Sequence, residues 1–224
     1  MGRRLVILVF AGLAGATIAA AIRAGTDAAA HDGLRLWLIA VYHLLKVGVA
    51  VAFAVFVFRR GPARKRTYDP LAFAACAAAI LPVILLRAPH PHGSTSLVLV
   101  GECVALVSGA WMLASALALG TCFGVLPEVR GLVTRGPYRI VRHPIYLGEL
   151  GAYAGLFVAS PRLLNLIGGL FFVAGQATRM RLEERALRAE FPEYAAYAAR
   201  TSRLLPRMSV AVGRSSRRLE AVGD

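Results

Sequence analysis

The chain has 224 residues, 58% of them apolar, with a mean hydropathy of +0.62 and a net charge of +14. The apolar residues fall in runs of about 17 to 25, the length that crosses a hydrocarbon core ~30 Å thick, so the composition excludes a soluble domain and indicates an integral membrane protein. The basic residues lie between and after these runs rather than on one face of a globular domain, which excludes a soluble nucleic-acid binder.

In chain order, residues 5–22 form a first span behind Arg3 and Arg4. This run is longer than the apolar core of a signal peptide and further spans follow, so it reads as a helix. A polar loop with Thr26, Asp27, His31 and Asp32 leads to a second span, 34–58. The loop 59–69 carries Arg59, Arg60, Arg64, Lys65 and Arg66. Residues 71–86 form a short third span interrupted by Pro82, a break that neighbouring helices can resatisfy. A turn with His90 and His92 precedes the fourth span, 97–119, and that pair reads as solvated rather than metal-binding.

Residues 120–142 are too polar and too rich in Gly and Pro to cross a membrane. Two apolar runs then follow, 144–159 and 163–177, separated only by Ser160, Pro161 and Arg162, so they read as a helical hairpin. The tail from Thr178 begins with a helical pattern, and Pro192 opens a short helix with Tyr194 and Tyr197 on one face. From Ser209 the periodicity is lost and the tail reads as disordered. Cys76, Cys103 and Cys122 are odd in number and widely spaced, which supports neither a disulfide framework nor a zinc site.

The expected fold is therefore all-α, a polytopic membrane protein of five to six membrane helices. Its last two helices form a tight hairpin, and a cytoplasmic helical extension follows. Placing the N-terminus, the 59–69 loop, the 120–143 stretch and the tail on one side gathers 21 of the 26 basic residues there. Four lie on the other side and Lys46 lies within a span. This asymmetry predicts cytoplasmic N- and C-termini, in a bacterial inner membrane.

The densest polar stretch runs from Gly136 to Gly148 and is followed by Arg179, Glu183 and Glu184. His143-Pro144 begins the fifth span, and proline at a first helical position loses no hydrogen bond. That helix end is expected to expose free amides and a partial positive charge, which binds carboxylate or phosphate. Arg139 and Arg142 would strengthen the field, and Tyr138 and Tyr146 offer rings and hydroxyls. Arg179 and Glu183, four apart, share a helix face at the end of the sixth run. Read singly, these residues are an exposed ion pair and interface anchors. Read together, they suit a zwitterionic ligand carrying an aromatic base. A second cluster, Tyr42, His43 and Lys46 of the second span with Glu102 of the fourth, lies at membrane depth. Charges there pair with one another or face a cavity, so this cluster is either a structural Lys46–Glu102 pair or a receiver for a polar acceptor group.

The string Leu132-Val133-Thr134-Arg135-Gly136-Pro137-Tyr138, then Arg142-His143-Pro144-Ile145-Tyr146-Leu147-Gly148, then Glu183-Glu184 and Phe191-Pro192-Glu193-Tyr194 resembles the isoprenylcysteine carboxyl methyltransferase family and its relatives among the phospholipid methyltransferases. The resemblance covers roughly residues 120–207. It implies a methyltransferase using S-adenosylmethionine, bound without a glycine-rich Rossmann loop. By position, Arg130, Gly131, Leu132, Val133, Tyr138, His143, Pro144, Ile145 and Tyr146 would line the cofactor pocket, with Glu183 on its other side. Arg179 falls where the family engages the acceptor, and a glutamine that some members carry upstream is replaced near Phe123.

On this reading 1–119 is a four-helix membrane region, 120–207 the catalytic region and 208–224 a disordered tail. Methyl transfer to a carboxylate needs only positioning, with Arg179 as orienting group. A thiol or amine acceptor needs a base, for which Glu184 or His143 could serve. The acceptor is expected to be lipophilic or membrane-delivered, with membrane lipid as surroundings and no nucleic acid or metal. Two alternatives remain at this point. One is a membrane reductase related to sterol reductases, with Arg130 or Arg135 on the 2′-phosphate of NADPH. The other is a non-enzymatic membrane scaffold or transport component.

Overall fold

A computed structural model describes residues 34–59, 61, 65–66, 69–85, 95–122, 124 and 128–206, with scattered positions between 12 and 26. Most of the expected first span, the His31 and Asp32 loop, the His90 and His92 turn, Phe123 and the tail 208–224 lie outside the described residues.

From residue 34 on, six α-helices make up almost all of the described residues. They are α1 (Leu34–Arg59), α2 (Pro70–Ile84), α3 (Thr95–Leu119), α4 (Pro144–Ala159), α5 (Leu163–Glu190) and α6 (Tyr194–Arg200). Local chemistry sets several of their ends. Asp69 caps α2, its Oδ1 accepting from the Leu71 amide at 2.8 Å, ahead of a proline in the first turn. Pro144 starts α4, and α5 stops at Phe191 ahead of Pro192. Among the described residues, three helical segments are long and apolar enough to cross a membrane, Trp37–Arg59, Ser96–Cys122 and Leu163–Glu190. Pro70–Val83 and Pro144–Ala159 are shorter apolar helices. Together these features define an integral membrane protein.

The described residues are nearly all helical, as expected; beside the helices, Lys65–Arg66 (β1) pairs antiparallel with Glu128–Val129 (β2). The ladder joins the two basic connections at one end of the bundle, where the Arg130 guanidinium also donates to the Gly61 carbonyl. The sixth apolar run and the first part of the tail are one continuous helix of 28 residues. At a rise of roughly 1.5 Å per residue α5 is about 42 Å long, which leaves its last turns, with Glu183 and Glu184, beyond a ~30 Å core.

Small residues determine which helices touch. Along the α3–α4 seam, a Cβ on Gly155 would lie 2.5 Å from the Gly101 carbonyl oxygen and 2.6 Å from the Ala105 nitrogen. A Cβ on Gly148 would lie 2.8 Å from that of Met112. Such spacing lets two backbones approach closely in lipid, where dispersion and not the hydrophobic effect holds helices together. Gly175 lies against Ala75, Ala78 and Ala79, seating α5 on α2. The closest backbone packing of α4 and α5 is thus with α3 and α2 and not with each other, although only three residues connect them. They meet through side chains. Tyr153 stacks on Phe172 with ring centroids 4.8 Å apart and donates to the Asn165 carbonyl at 2.8 Å. The Asn165 amide in turn donates to the Ser160 carbonyl at 2.8 Å. A hydrophobic core of Val49, Phe53, Val57, Ala116 and Ile145 ties α1 and α3 to the start of α4.

Candidate active site

The side chains of α4 and α5 converge at the end of the bundle that bears the β1–β2 ladder. Tyr146 and Glu149 of α4, with Arg142 and His143 just ahead of its first residue, face residues 176, 179, 183 and 184 of α5. Two polar clusters result, and residues adjacent in sequence separate between them.

The first cluster centres on Glu184, which is 3% exposed. His143 Nε2 lies 3.1 Å from its Oε1, and because a carboxylate only accepts, that ring nitrogen is the donor. Arg142 reaches the same oxygen through Nε at 3.2 Å and Nη2 at 3.1 Å. Arg203 adds a bidentate pair, Nε to Oε1 at 3.0 Å and Nη2 to Oε2 at 2.6 Å, and Arg188 stands 3.9 Å away. The Glu184 carboxylate holds the Arg203 guanidinium above its usual pKa range.

Arg142 also donates to the carbonyls of Ala198 and Thr201, and its amide and that of His143 donate to the carbonyls of Ser202 and Arg203 at 2.8 and 3.1 Å. Residues 201–203 thus form a strap across the start of α4. The amides that the strap takes lie just ahead of the first turn of α4, and Arg142, expected to strengthen the field at this helix end, turns inward to Glu184. Glu184 holds this strap instead of standing open as a base.

The second cluster surrounds Tyr146. Its hydroxyl donates to Glu183 Oε2 at 3.0 Å, and its ring meets His143 edge-on at 5.3 Å. The Arg179 guanidinium lies 5.1 Å from the Tyr146 ring centroid, a cation–π distance. Arg179 is largely buried and not the exposed partner of Glu183 that spacing alone suggests. Its side chain is 14% exposed, donates to Gln176 Oε1 at 3.0 Å and stands 3.9 Å from Glu149 Oε2, while the Gln176 amide donates to that same oxygen. Glu183 is half-exposed, the outermost member of the cluster.

The remaining expected residues divide. Tyr138 is buried and its carbonyl accepts from the Tyr197 hydroxyl at 2.6 Å. Burial pushes the Tyr138 phenol well above its usual pKa and that of Tyr197 to about 12, so both stay neutral. Leu132 packs on Phe191, Tyr194 and Tyr197 beneath the strap. Gly131 passes so close to Cys122 that a Cβ there would lie 2.8 Å from Sγ. Val133 is half-buried beside it. Pro144 is buried and its carbonyl accepts from the Trp111 indole at 2.9 Å. Ile145 points into the α1–α3 core and away from Tyr146.

The intramembrane cluster is not one group. Lys46 Nζ lies 5.6 Å from the Tyr42 ring centroid, and Tyr42 packs on Gly109 near the depth of Gly148. Glu102 lies ten residues before Met112, which is level with Gly148, so it sits about 15 Å further along the bundle from the site. Glu149, Gln176 and Arg203 were not singled out from sequence. An acidic residue inside the apolar run of α4 was a signal for Glu149, and the three-residue spacing from Arg179 was one for Gln176.

Residues 92–193 match the family described as phospholipid methyltransferase, a family of membrane methyltransferases. The match begins ahead of α3 and so includes the helix on which α4 rests. Among curated proteins, the chain is 38% identical over 86 residues to the cobalt-zinc-cadmium resistance protein CzcN of Cupriavidus metallidurans, covering 38% of this chain and 40% of that protein. It is 36% identical over 80 residues to the nickel-cobalt-cadmium resistance protein NccN of Alcaligenes xylosoxydans xylosoxydans, covering 35% and 38% respectively. The matched region thus spans about two fifths of the length of either relative.

Proposed function

We propose that the chain is an S-adenosylmethionine-dependent methyltransferase of a bacterial inner membrane, acting on a lipophilic acceptor, with its site at the cytoplasmic mouth of α4 and α5. One observation carries this reading beyond the family match. Tyr146, Glu183, Arg179 and Glu149, drawn from two helices, converge on one another where α5 leaves the hydrocarbon core.

The donor set fits the cofactor. Glu183 offers a half-exposed carboxylate with Oε2 engaged by Tyr146, suited to an ammonium or ribose hydroxyl. No side chain caps the first turn of α4, which leaves that helix end for a carboxylate. The 130–133 segment, Tyr138 and the His143–Tyr146 turn would wall the pocket. When bound, S-adenosylmethionine supplies an electrophilic methyl group on sulfur. This chain's part is to hold the acceptor at near-attack distance and keep water out, which can contribute ~7–11 kcal/mol.

Arg179 and Glu149 mark the acceptor end. Beyond them, along the same two helices, runs an open apolar groove of about 220 Å³ lined by residues including Leu150, Tyr153, Phe157, Phe172 and Val173. It suits the hydrocarbon part of an acceptor. Glu184 acts by positioning the strap and His143, and Glu102 falls outside the site. The two relatives are named for metal resistance; in such a setting this chain would act by modifying a membrane component.

The test is transfer of label. Membranes containing the chain, incubated with methyl-labelled S-adenosylmethionine, should place label in the organic-extractable fraction, and Arg179→Ala membranes should lose at least nine-tenths of it. Label equal to that of membranes lacking the chain would overturn the reading.

A further inference from the structure

We infer that Glu149 is the general base of this site and that the methyl acceptor is a neutral nucleophile still carrying its proton, a thiol, amine or hydroxyl, and not a carboxylate. The inference rests on the methyltransferase reading and deepens it.

It starts from where Arg179 spends its charge. An arginine that is to grip a substrate carboxylate must present its planar fork to the acceptor. Here the guanidinium is 14% exposed, lies over the Tyr146 ring, donates to Gln176 and faces Glu149 Oε2 at 3.9 Å. Gln176, itself 1% exposed, bridges the two by accepting from Arg179 and donating to Glu149. The chain thus supplies its own carboxylate where a substrate carboxylate would have to sit.

Charge counting gives the same answer. The groups facing Glu149 are Tyr146 on its own helix and Gln176, Arg179 and Glu183 from α5, with Cys76 of α2 beside Arg179. Two carboxylates and one guanidinium leave this cluster one negative charge in excess, which a bound sulfonium cancels. A neutral acceptor keeps the loaded site neutral. An anionic one would leave a net negative charge in a low-dielectric setting, which costs free energy.

The step balances. The acceptor heteroatom forms a bond to the methyl carbon as the sulfur–carbon bond of the sulfonium donor breaks, its electron pair passing to sulfur. The acceptor's proton goes to a carboxylate oxygen of Glu149. Arg179 stays charged throughout, so the site's total charge is the same before and after. Glu149 lies next to Leu150, which lines the open apolar groove, and Gln176 follows one turn after Phe172 and Val173 of the same lining. A chain lying along that groove would end its polar head at Glu149.

The experiment uses the full chain in detergent with labelled S-adenosylmethionine and three probes in mixed micelles, dodecanethiol, dodecylamine and dodecanoate. The inference predicts that the thiol or the amine is labelled at least tenfold faster than dodecanoate. In Glu149→Gln, which keeps the shape and the contact with Gln176, the rate at pH 7 should fall about 100-fold, the range of general-base catalysis. S-adenosylhomocysteine binding should stay within threefold. The residual thiol rate of the variant should climb with pH as the thiol ionises by itself, narrowing the gap to the unsubstituted chain, an effect that a merely structural carboxylate would not show. Labelling of dodecanoate alone, of none of the three, or an unchanged rate in Glu149→Gln would overturn it. Failure of S-adenosylhomocysteine to bind at all would instead overturn the methyltransferase reading. The probe comparison on the unsubstituted chain decides the acceptor class even if the variant does not fold.

Discussion

Replacing Glu184 by alanine should free the strap at residues 201–203 without unfolding the membrane helices. Glu184 and His143 are each 3% exposed and the Arg142 side chain 11%, so the substitution leaves a buried guanidinium facing an empty site. Breaking such a pair costs about 3–5 kcal/mol. The Arg203 contact, though bidentate, belongs to a side chain 45% exposed and adds less than about 1 kcal/mol. Those losses fall on the amide bonds from Arg142 and His143 to Ser202 and Arg203, and on α6, which the strap follows.

The readout is hydrogen exchange of the detergent-solubilised protein followed by mass spectrometry. At 3 kcal/mol the opening equilibrium of the strap and α6 shifts about 150-fold, which would show as exchange at least tenfold faster in peptides spanning 194–203. Peptides from α3 should change little. Arg188→Ala is the control, since that side chain is 60% exposed and 3.9 Å from Glu184, and it should change exchange less than threefold. If Glu184→Ala also left the 194–203 peptides within threefold, the carboxylate would not be what secures the strap.

Three other outcomes follow from the packing and the site. Gly101→Ala places a methyl group against the Gly155 carbonyl and Ala159; overpacking of about 1–3 kcal/mol should lower the melting temperature in detergent, whereas Gly61→Ala, with nothing within 4 Å, should leave it unchanged. Tyr153→Phe keeps the stack on Phe172 but loses the bond to the Asn165 carbonyl, so melting should fall by about 2–4 °C for roughly 1 kcal/mol. Tyr146→Phe removes the donor to Glu183, and S-adenosylhomocysteine affinity by calorimetry should weaken about 2- to 12-fold, the effect of one hydrogen bond worth ~0.5–1.5 kcal/mol. No change in affinity would separate Tyr146 from the cofactor.

The membrane helices were legible because apolar run length is a one-dimensional signal. The boundaries of α1, α3 and α4 fall within two residues of those read from sequence, and Pro144 marks a start without need of context. What sequence could not supply was the partner of each helix. A three-residue connection suggested that α4 and α5 pack directly on each other, yet Gly148 and Gly155 seat α4 on α3, and Gly175 seats α5 on α2. Glycines in an apolar run carry no mark of which neighbour they admit.

In the site, residue types and approximate location were readable, but pairings were not. Glu183 and Glu184 are adjacent, so on a helix their side chains diverge by about 100°; one meets Tyr146 and the other the strap. The four-residue spacing of Arg179 and Glu183 was visible, but Glu149 of α4, which stands opposite Arg179, was not. Arg203 gave no signal, since its role depends on a chain reversal after α6 that brings it beside His143.

The most direct measurement of the central claim is calorimetric titration of the purified full-length chain with S-adenosylhomocysteine. A site built on Glu183 at the mouth of α4 and α5 predicts one saturable binding event per chain, weakened at least tenfold in Glu183→Gln. Absence of binding, or equal affinity in that variant, would contradict it.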